Sequence, residues 1–241
     1  MSEHENVYED SERAEAYAGL EFPGTYYLAF RDVPAIVSEH VSGKTALDFG
    51  CGTGRSTRYV KKLGFETVGI DISASMLSRA RRFDARGDYR QVPDGDLGAI
   101  DDGAFDLVFS AFTFDNIAGR SNKVALFRQL GEKLTAKGRI ISIVSSPEIY
   151  VNEWASFTTK DFPENRQARS GDKVKIIMTD VPDRRPVIDT VWSHEDYLRV
   201  YAEAGVEVVK AHRPLGRVDE PYAWVSETHT APWVIYVLAR I

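Results

Sequence analysis

One segment, residues 45–71, constrains the fold of this chain more than any other. A short apolar run ending at Phe49 reads as a buried strand, and Gly50, Gly52 and Gly54 follow it at alternate positions. Glycine allows a sharp turn at positive φ and lets a ligand approach the main chain without a Cβ in the way. The helix that follows begins with unpaired N–H groups that face such a ligand. The segment therefore predicts a nucleotide-type site between a strand and a helix.

A second strand, residues 68–71, ends on an acid, Asp71. A carboxylate offers two acceptor oxygens, so it can take both hydroxyls of a ribose. Asp71 follows the first glycine by about 20 residues, a separation typical of ribose-binding acids. We therefore predict that Asp71 binds a ribose.

The glycine spacing separates two classes of ligand. A dinucleotide site has the pattern G-x-G-x-x-G, but here the third glycine comes one position early, and Arg55 stands where glycine is expected. Asp48, next to the turn, would repel a phosphate and attract an ammonium or sulfonium group. The pattern therefore disfavours a pyrophosphate ligand and favours a cationic one.

The chain resembles the class I S-adenosylmethionine-dependent methyltransferases in two places. The run LDFGCGTG at residues 47–54 is similar to their motif I, and VGID at residues 68–71 is similar to their ribose-binding motif. The resemblance covers about residues 45–144. It implies a doubly wound, Rossmann-like α/β fold with a seven-stranded, mostly parallel sheet. It also implies S-adenosyl-L-methionine as the methyl donor and S-adenosyl-L-homocysteine as its product.

We expect a single methyltransferase domain over residues 1–241, with additions to its core. Apolar residues from Tyr26 to Val41 recur at helical spacing within the segment that precedes the first strand. A region rich in aromatic residues is expected to form an inserted β-hairpin cap that closes over a substrate, with a subunit contact as the alternative. The predicted parts are an N-terminal helical lid (1–42), the cofactor-binding core (43–144), the cap (145–192) and the C-terminal part of the core (193–241).

Local signals predict two further helices. Ser121 is a candidate N-cap for a helix that ends at Gly138, followed by the fifth strand over residues 139–144. Ser193 opens a capping-box pattern. His194, at the first position of that helix, is predicted to be solvated.

The resemblance also implies which residues contact the cofactor. The acid that bonds adenine is ambiguous, because counting back from the fourth strand favours Asp94 and the local Gly-Asp-Leu pattern favours Asp96. Cys51 is interpreted as a small residue packed beside the cofactor. The implied contacts are Tyr17, Asp48, Gly50, Cys51, Gly52, Gly54, Asp71, Ile72, Met76, Asp94, Gly95, Asp96 and Ala111.

Two residues are candidates for catalysis because of where they fall in the chain. Asp115 follows the fourth strand, at the edge where ligands bind in open α/β sheets, and His229 lies in the loop before the last strand. Either side chain would serve as a general base for a hydroxyl acceptor. The sequence shows no cluster of carboxylates and histidines at ligand spacing, so no metal is predicted.

Composition limits the partners. The formal net charge of −6 lacks the basic excess of a phosphate-tracking surface, so no nucleic-acid partner is predicted. The polar first residues and the lack of any long apolar run predict a cytoplasmic protein without a membrane partner. The aromatic cap favours a small-molecule acceptor, and the protein is expected to be a monomer or homodimer.

Two other functions stay open at this point. One is a regulator that binds S-adenosylmethionine without catalysis. The other is an oxidoreductase that uses NAD.

Overall fold

The structure, a computed structural model, describes residues 22–241. The predicted contact of Tyr17, and the part of the N-terminal lid before residue 22, lie outside the described residues. The strands are β1 (Thr45–Phe49), β2 (Glu66–Asp71), β3 (Asp88–Gln91), β4 (Phe105–Ala111), β5 (Leu134–Ser145), β6 (Phe157–Thr158), β7 (Lys173–Met178), β8 (Val187–Thr190), β9 (Val206–His212) and β10 (Trp233–Arg240). The α-helices are α1 (Thr25–Arg31), α2 (Val33–His40), α3 (Arg55–Lys62), α4 (Ala74–Phe83), α5 (Arg120–Lys133) and α6 (His194–Ala204).

Seven of the strands described in residues 22–241 form one sheet, in the order β3-β2-β1-β4-β5-β10-β9. The pairings among β1 to β5 are parallel, and β10 is antiparallel to both β5 and β9. Helix α3 connects β1 to β2, α4 connects β2 to β3, and α5 connects β4 to β5, an alternation typical of doubly wound sheets. This confirms the predicted fold class. It also places the carboxyl ends of β1, β2, β4 and β5 along one edge.

The N-terminal region forms two helices rather than one continuous run. The break falls at Asp32, between α1 and α2. Pro34 lies in the first turn of α2, the only part of a helix where its missing N–H group costs nothing. Both helices are buried against the sheet, with Leu28 and Val33 fully buried.

The predicted boundary between α5 and the fifth strand was wrong. Helix α5 starts after Gly119 instead of Ser121, and it ends at Lys133, so β5 begins at Leu134 and includes Gly138. A Cβ at Gly138 would lie 2.8 Å from the main-chain oxygen of Phe105. Glycine is therefore needed there for the close approach of two strands and does not end the helix.

The inserted region contains the predicted antiparallel pair of strands, β7 and β8. The short strand β6 adds to the edge of β7 and completes a second sheet. Two residues are too few for the strand pattern to be recognised in the sequence. Ile176 and Met178 of β7 share one apolar cluster with Tyr26 of α1 and Trp233 of β10, so the inserted region is packed onto the rest of the chain.

Helix α6 begins as predicted and ends at Gly205, whose φ is 75°. The Ser193 hydroxyl accepts a hydrogen bond from the main-chain N–H of Asp196. The prediction that His194 is solvated was wrong, because this side chain is half-buried and its ring stacks on Tyr236. Its Nδ1 lies 2.6 Å from the Tyr236 hydroxyl. Packing of α6 on β10, which the local sequence does not reveal, explains the difference.

Two properties of residues 22–241 bear on the predicted absence of a membrane partner and of a metal. Every helix found there is too short or too polar to cross a bilayer. The same residues contain no group of three or more His, Cys, Asp or Glu side chains placed to hold a metal ion.

Candidate cofactor-binding site

The glycine turn after β1 adopts the predicted geometry. Gly50, Gly52 and Gly54 have φ values of 71°, 53° and 77°, a region that other residues rarely enter. A Cβ at Gly50 would collide with the side chain of Thr113, and one at Gly54 with the ring of Tyr89. A Cβ at Gly52 would meet no atom within 4 Å. The outer glycines are therefore fixed by packing, and the middle one leaves an open approach to the main chain.

Asp71 lies beside this turn, as the sequence predicted. Its Oδ2 accepts a 2.9 Å hydrogen bond from the N–H of Gly52, and its Oδ1 accepts one of 2.8 Å from the N–H of Ser73. Burial raises the pKa of the Asp71 carboxyl, and these two N–H groups oppose the rise. Each oxygen keeps a second lone pair, so the fixed carboxylate is able to accept further hydrogen bonds.

The sequence suggested that the Asp48 carboxylate attracts a cationic ligand, but in the structure this side chain is not accessible. It is fully buried, and its Oδ2 accepts hydrogen bonds from the hydroxyls of Ser56 (2.7 Å) and Thr57 (2.6 Å) at the start of α3. Its Oδ1 is buried without a hydrogen-bond partner in residues 22–241. Burial raises the pKa of the Asp48 carboxyl to about 6, the two hydroxyls lower it, and the nearby Asp71 raises it. Asp48 therefore anchors α3 to β1 and retains one unsatisfied acceptor.

Cys51 is packed as the sequence suggested. Its side chain is buried in a small cluster with Leu77, Ala80 and Tyr89. Burial raises the pKa of the Cys51 thiol well above its ordinary value. A buried thiol that stays protonated is unreactive, so Cys51 acts as a small packing residue in the turn.

Two apolar residues predicted to contact adenine lie in different environments. Ile72 is 45% exposed directly after β2, whereas Met76 is 5% exposed and belongs to the buried side of α4. Ile72 thus has much more surface accessible to a ligand than Met76, and the adenine contacts of both residues stay predictions. Ala111, at the end of β4, is half-buried.

The two acids proposed to bond adenine are both exposed. The Oδ1 of Asp96 accepts a 2.8 Å hydrogen bond from the N–H of Gly98, which fixes it in its own turn. Between them, Gly95 has φ 74° and its carbonyl accepts a hydrogen bond from the side chain of Gln129. The carboxylate of Asp94 is the one of the two without such a local bond among the described residues, so it is the better placed to receive a ligand.

Asp115 lies at the end of the sheet but is 4% exposed. Its Oδ2 accepts a 2.8 Å hydrogen bond from the Ser145 hydroxyl. The ammonium group of Lys123 donates to the carbonyl of Phe114. Burial raises the pKa of Asp115 and lowers that of Lys123, while their mutual attraction opposes both changes. The contacts of Asp115 join the turn after β4 to the end of β5, and its role as a base stays a prediction.

His229 is exposed in the loop before β10. The main-chain N–H of His229 donates to the carbonyl of Ser226, and the side-chain Nδ1 lies 3.4 Å from the Thr228 hydroxyl. Both contacts belong to its own loop. A catalytic role for His229 therefore also stays a prediction.

Two features of this edge were missed in the sequence. Phe112 has φ 64°, a strained value for a residue with a Cβ, and its ring packs 4.7 Å from that of Trp233. The guanidinium group of Arg55 lies 5.0 Å from the ring centre of Phe22 and 5.3 Å from that of Tyr26. The position of Arg55 directly after the glycine turn was the available signal for its involvement, whereas nothing local predicts positive φ at Phe112.

Comparisons with known proteins agree with this geometry. Residues 47–142 match a family model described as a methyltransferase domain. The chain is 35% identical over 101 residues to a probable S-adenosylmethionine-dependent methyltransferase of Saccharomyces cerevisiae, a match that covers 39% of this chain and 33% of that protein. It is 34% identical over 73 residues to a ubiquinone biosynthesis O-methyltransferase of Paraburkholderia xenovorans, covering 29% of this chain and 32% of that protein. The matches thus span about a third of the length of these relatives.

A solved structure shows the same fold over most of the chain. It is an S-adenosylmethionine-dependent methyltransferase from Mesorhizobium loti, with a TM-score of 0.62 at 18% sequence identity. The superposition covers 88% of this chain and 98% of that one. Residues 47–142 therefore match a methyltransferase domain, and the chain has the fold of the class I S-adenosylmethionine-dependent methyltransferases.

Proposed function

We propose that this chain transfers a methyl group from S-adenosylmethionine to a nitrogen or oxygen of a small-molecule acceptor. The observation that carries this proposal is the pairing of Gly52 with Asp71. The turn is open above Gly52, and the Asp71 carboxylate is fixed 2.9 Å from its N–H group. This combination suits a ribose that lies against bare main chain.

The residues around the turn fit the rest of the cofactor. The exposed face of Ile72 and the carboxylate of Asp94 would hold the adenine ring and its amino group. The buried carboxylate of Asp48 places negative charge close to the turn, which suits a ligand that carries positive charge. When bound, S-adenosylmethionine would supply an electrophilic methyl group.

The contribution of the chain itself is to position the acceptor and to exclude water. The rings of Tyr26, Phe112 and Trp233 pack together at the carboxyl edge of the sheet and form an aromatic surface there. A neutral amine acceptor needs no base, whereas a hydroxyl acceptor would lose its proton to a side chain or to solvent. Asp115 and His229 are the proposed bases for that case.

Several observations support a small-molecule acceptor. The net charge of −6 gives no general attraction for nucleic acid. The Paraburkholderia relative is named for O-methyl transfer in ubiquinone biosynthesis. The proposal also keeps a cytoplasmic location and a monomeric or homodimeric state, as the sequence predicted.

Binding of S-adenosylhomocysteine tests the cofactor site by titration calorimetry. We expect Asp71→Ala to lose about a hundredfold in affinity, because it removes two hydrogen bonds from a charged acceptor. The control is Asp88→Asn, a change in an exposed ion pair with Arg90 on β3, which should keep the wild-type affinity. Equal affinity in wild type and Asp71→Ala would contradict the ribose assignment, and an absence of binding to the wild type would refute the proposed function.

A further inference from the structure

The turn that follows β4, residues 112–116, begins with a strained residue. Phe112 is the one residue other than glycine with a positive φ among residues 22–241. This conformation is unfavourable for a residue with a Cβ, and it persists only where the surrounding contacts determine it. Strained residues of this kind are concentrated at functional sites. The contacts of the turn after β4 indicate what its conformation provides.

Two buried charged side chains hold one side of the turn after β4. The ammonium group of Lys123, on α5, is fully buried and donates to the carbonyl of Phe114. The carboxylate of Asp115 accepts hydrogen bonds from the main-chain N–H and the hydroxyl of Ser145, at the end of β5. Burying a charged group is costly unless it is hydrogen-bonded. Displacing the turn would therefore leave buried charges without these partners.

Thr113 joins the turn after β4 to the glycine turn. Its hydroxyl donates a 3.1 Å hydrogen bond to the carbonyl of Phe49, and the carbonyl oxygen of Gly50 lies 3.4 Å away. Gly50 has φ 71°, and a Cβ there would lie 2.3 Å from atoms of the Thr113 side chain. Thr113 therefore occupies the space that a side chain at position 50 would need.

The glycine turn is thus held from two neighbouring strands of the sheet. On the side of β2, the N–H of Gly50 donates a 2.9 Å hydrogen bond to the carbonyl of Ile70, and the N–H of Gly52 donates to Asp71. On the side of β4, the turn is held by the hydroxyl of Thr113. Removing this hydroxyl would release one of the two sides.

The turn after β4 also reaches the aromatic surface at this edge of the sheet. The ring of Phe112 lies 4.7 Å from that of Trp233 and 5.6 Å from that of Tyr26. Phe112 and Thr113 are adjacent, so the conformation that places the ring on this surface also places the hydroxyl on the glycine turn. The strained conformation therefore fixes the glycine turn relative to the aromatic surface.

We propose that Thr113 is a positioning residue for the cofactor, because its hydroxyl fixes the glycine turn in the geometry that accepts S-adenosylmethionine. The inference rests on the proposed function, since it concerns the cofactor of that reaction. Thr113 takes no part in methyl transfer itself. It acts through Gly50, two residues before the glycine that leaves the main chain open to a ligand. A displacement of about 1 Å is enough to impair a site of this kind.

Thr113→Val tests the hydroxyl, because valine keeps the shape of threonine and lacks the donor. In calorimetry on the full chain, we expect this variant to bind S-adenosylhomocysteine about tenfold more weakly than the wild type. Thr113→Ser keeps the hydroxyl, so its affinity should stay within about twofold of the wild type. The matched control is Thr135→Val, which removes a hydroxyl that bonds Asp106 at the amino end of β4. It should bind with the wild-type affinity.

Amide hydrogen exchange tests the glycine turn without any ligand. In Thr113→Val, the amides of residues 50–54 should exchange about tenfold faster than in the wild type, because the turn opens locally more often. The amides of β1 and β2 should exchange at the wild-type rate. The melting temperature of Thr113→Val should stay within a few degrees of the wild type, which would show that the rest of the fold is kept.

The outcomes separate this proposal from the proposed function. Wild-type affinity in Thr113→Val, or wild-type exchange of residues 50–54, would overturn the positioning role. An equal loss of affinity in Thr113→Ser would overturn it as well, because the hydroxyl would then not be the group that matters. If the wild type does not bind S-adenosylhomocysteine, the methyl-transfer function fails, while the exchange rates still decide whether Thr113 holds the turn.

Discussion

The hydroxyl of Thr25 donates a 2.7 Å hydrogen bond to Glu227, which lies 202 positions further along the chain. The same Oε1 accepts a 2.8 Å bond from the N–H of Ala155, and Oε2 accepts one of 2.8 Å from the N–H of Val225. Glu227 is fully buried. One carboxylate therefore joins helix α1, the inserted region and the loop before β10.

We expect Glu227→Gln to lower the free energy of unfolding by about 1–3 kcal/mol. An amide keeps one acceptor oxygen, but its NH₂ group must face at least one of the N–H donors that the carboxylate satisfied. Urea unfolding measures the loss, and the exposed Glu207→Gln is the control. A variant as stable as the wild type would show that this buried carboxylate does not hold the three segments together.

Replacing two of the turn glycines with alanine should distinguish effects on S-adenosylhomocysteine binding from effects on the free energy of unfolding. Gly52→Ala places a methyl group in open space, so it should cost about 1 kcal/mol for its positive φ while greatly weakening S-adenosylhomocysteine binding. Gly54→Ala collides with Tyr89 and should cost about 3 kcal/mol. Calorimetry and urea unfolding of both variants decide the matter. Wild-type affinity in Gly52→Ala would mean that the ligand does not approach this glycine.

The buried carboxyl of Asp48 should make stability depend on pH. Its pKa rises from an ordinary 3.8 to about 6 on folding, so between these values the folded chain holds a proton that the unfolded chain has released. The stability from this group is present below about pH 3.8 and is lost as the pH rises to about 6. The wild type should therefore lose about 3 kcal/mol relative to Asp48→Asn across this window. Urea unfolding at a series of pH values measures the difference, and a constant difference would contradict the raised pKa.

The two candidate adenine acids differ in the loss of cofactor affinity that we expect when each is replaced by alanine. Asp94→Ala should lower the affinity for S-adenosylhomocysteine about tenfold, as expected for one lost hydrogen bond to a charged group. Asp96→Ala should have a smaller effect, because its carboxylate already bonds the N–H of Gly98. Calorimetry on both variants tests the assignment. A larger loss in Asp96→Ala would transfer the adenine contact to that residue.

Local signals in the sequence predicted much of the fold. The positions of the glycine turn and of the acid at the end of β2 were predicted correctly, because backbone conformation and residue type are tightly linked there. Ser193 caps helix α6 as expected, since capping involves residues only two or three positions apart. The family resemblance over about residues 45–144 was enough to predict a doubly wound sheet.

The predictions that were wrong, and the features that were missed, depend on contacts between segments distant in the sequence. Gly138 looked like a helix terminator but provides room for Phe105 on the neighbouring strand. His194 looked solvated because its partner, Tyr236, lies on β10. Glu227 follows no periodic pattern, so its burial was invisible in the sequence.

The bonds of Thr25 also bear on the order in which the chain acquires its structure during synthesis. Thr25 exchanges hydrogen bonds with Ser156, and its carbonyl accepts one from the indole of Trp233. Because a ribosome releases the chain from its N-terminus, helix α1 emerges long before its partners exist. Helix α1 therefore packs onto the sheet late, and until then the surface of the sheet that it covers stays exposed to solvent.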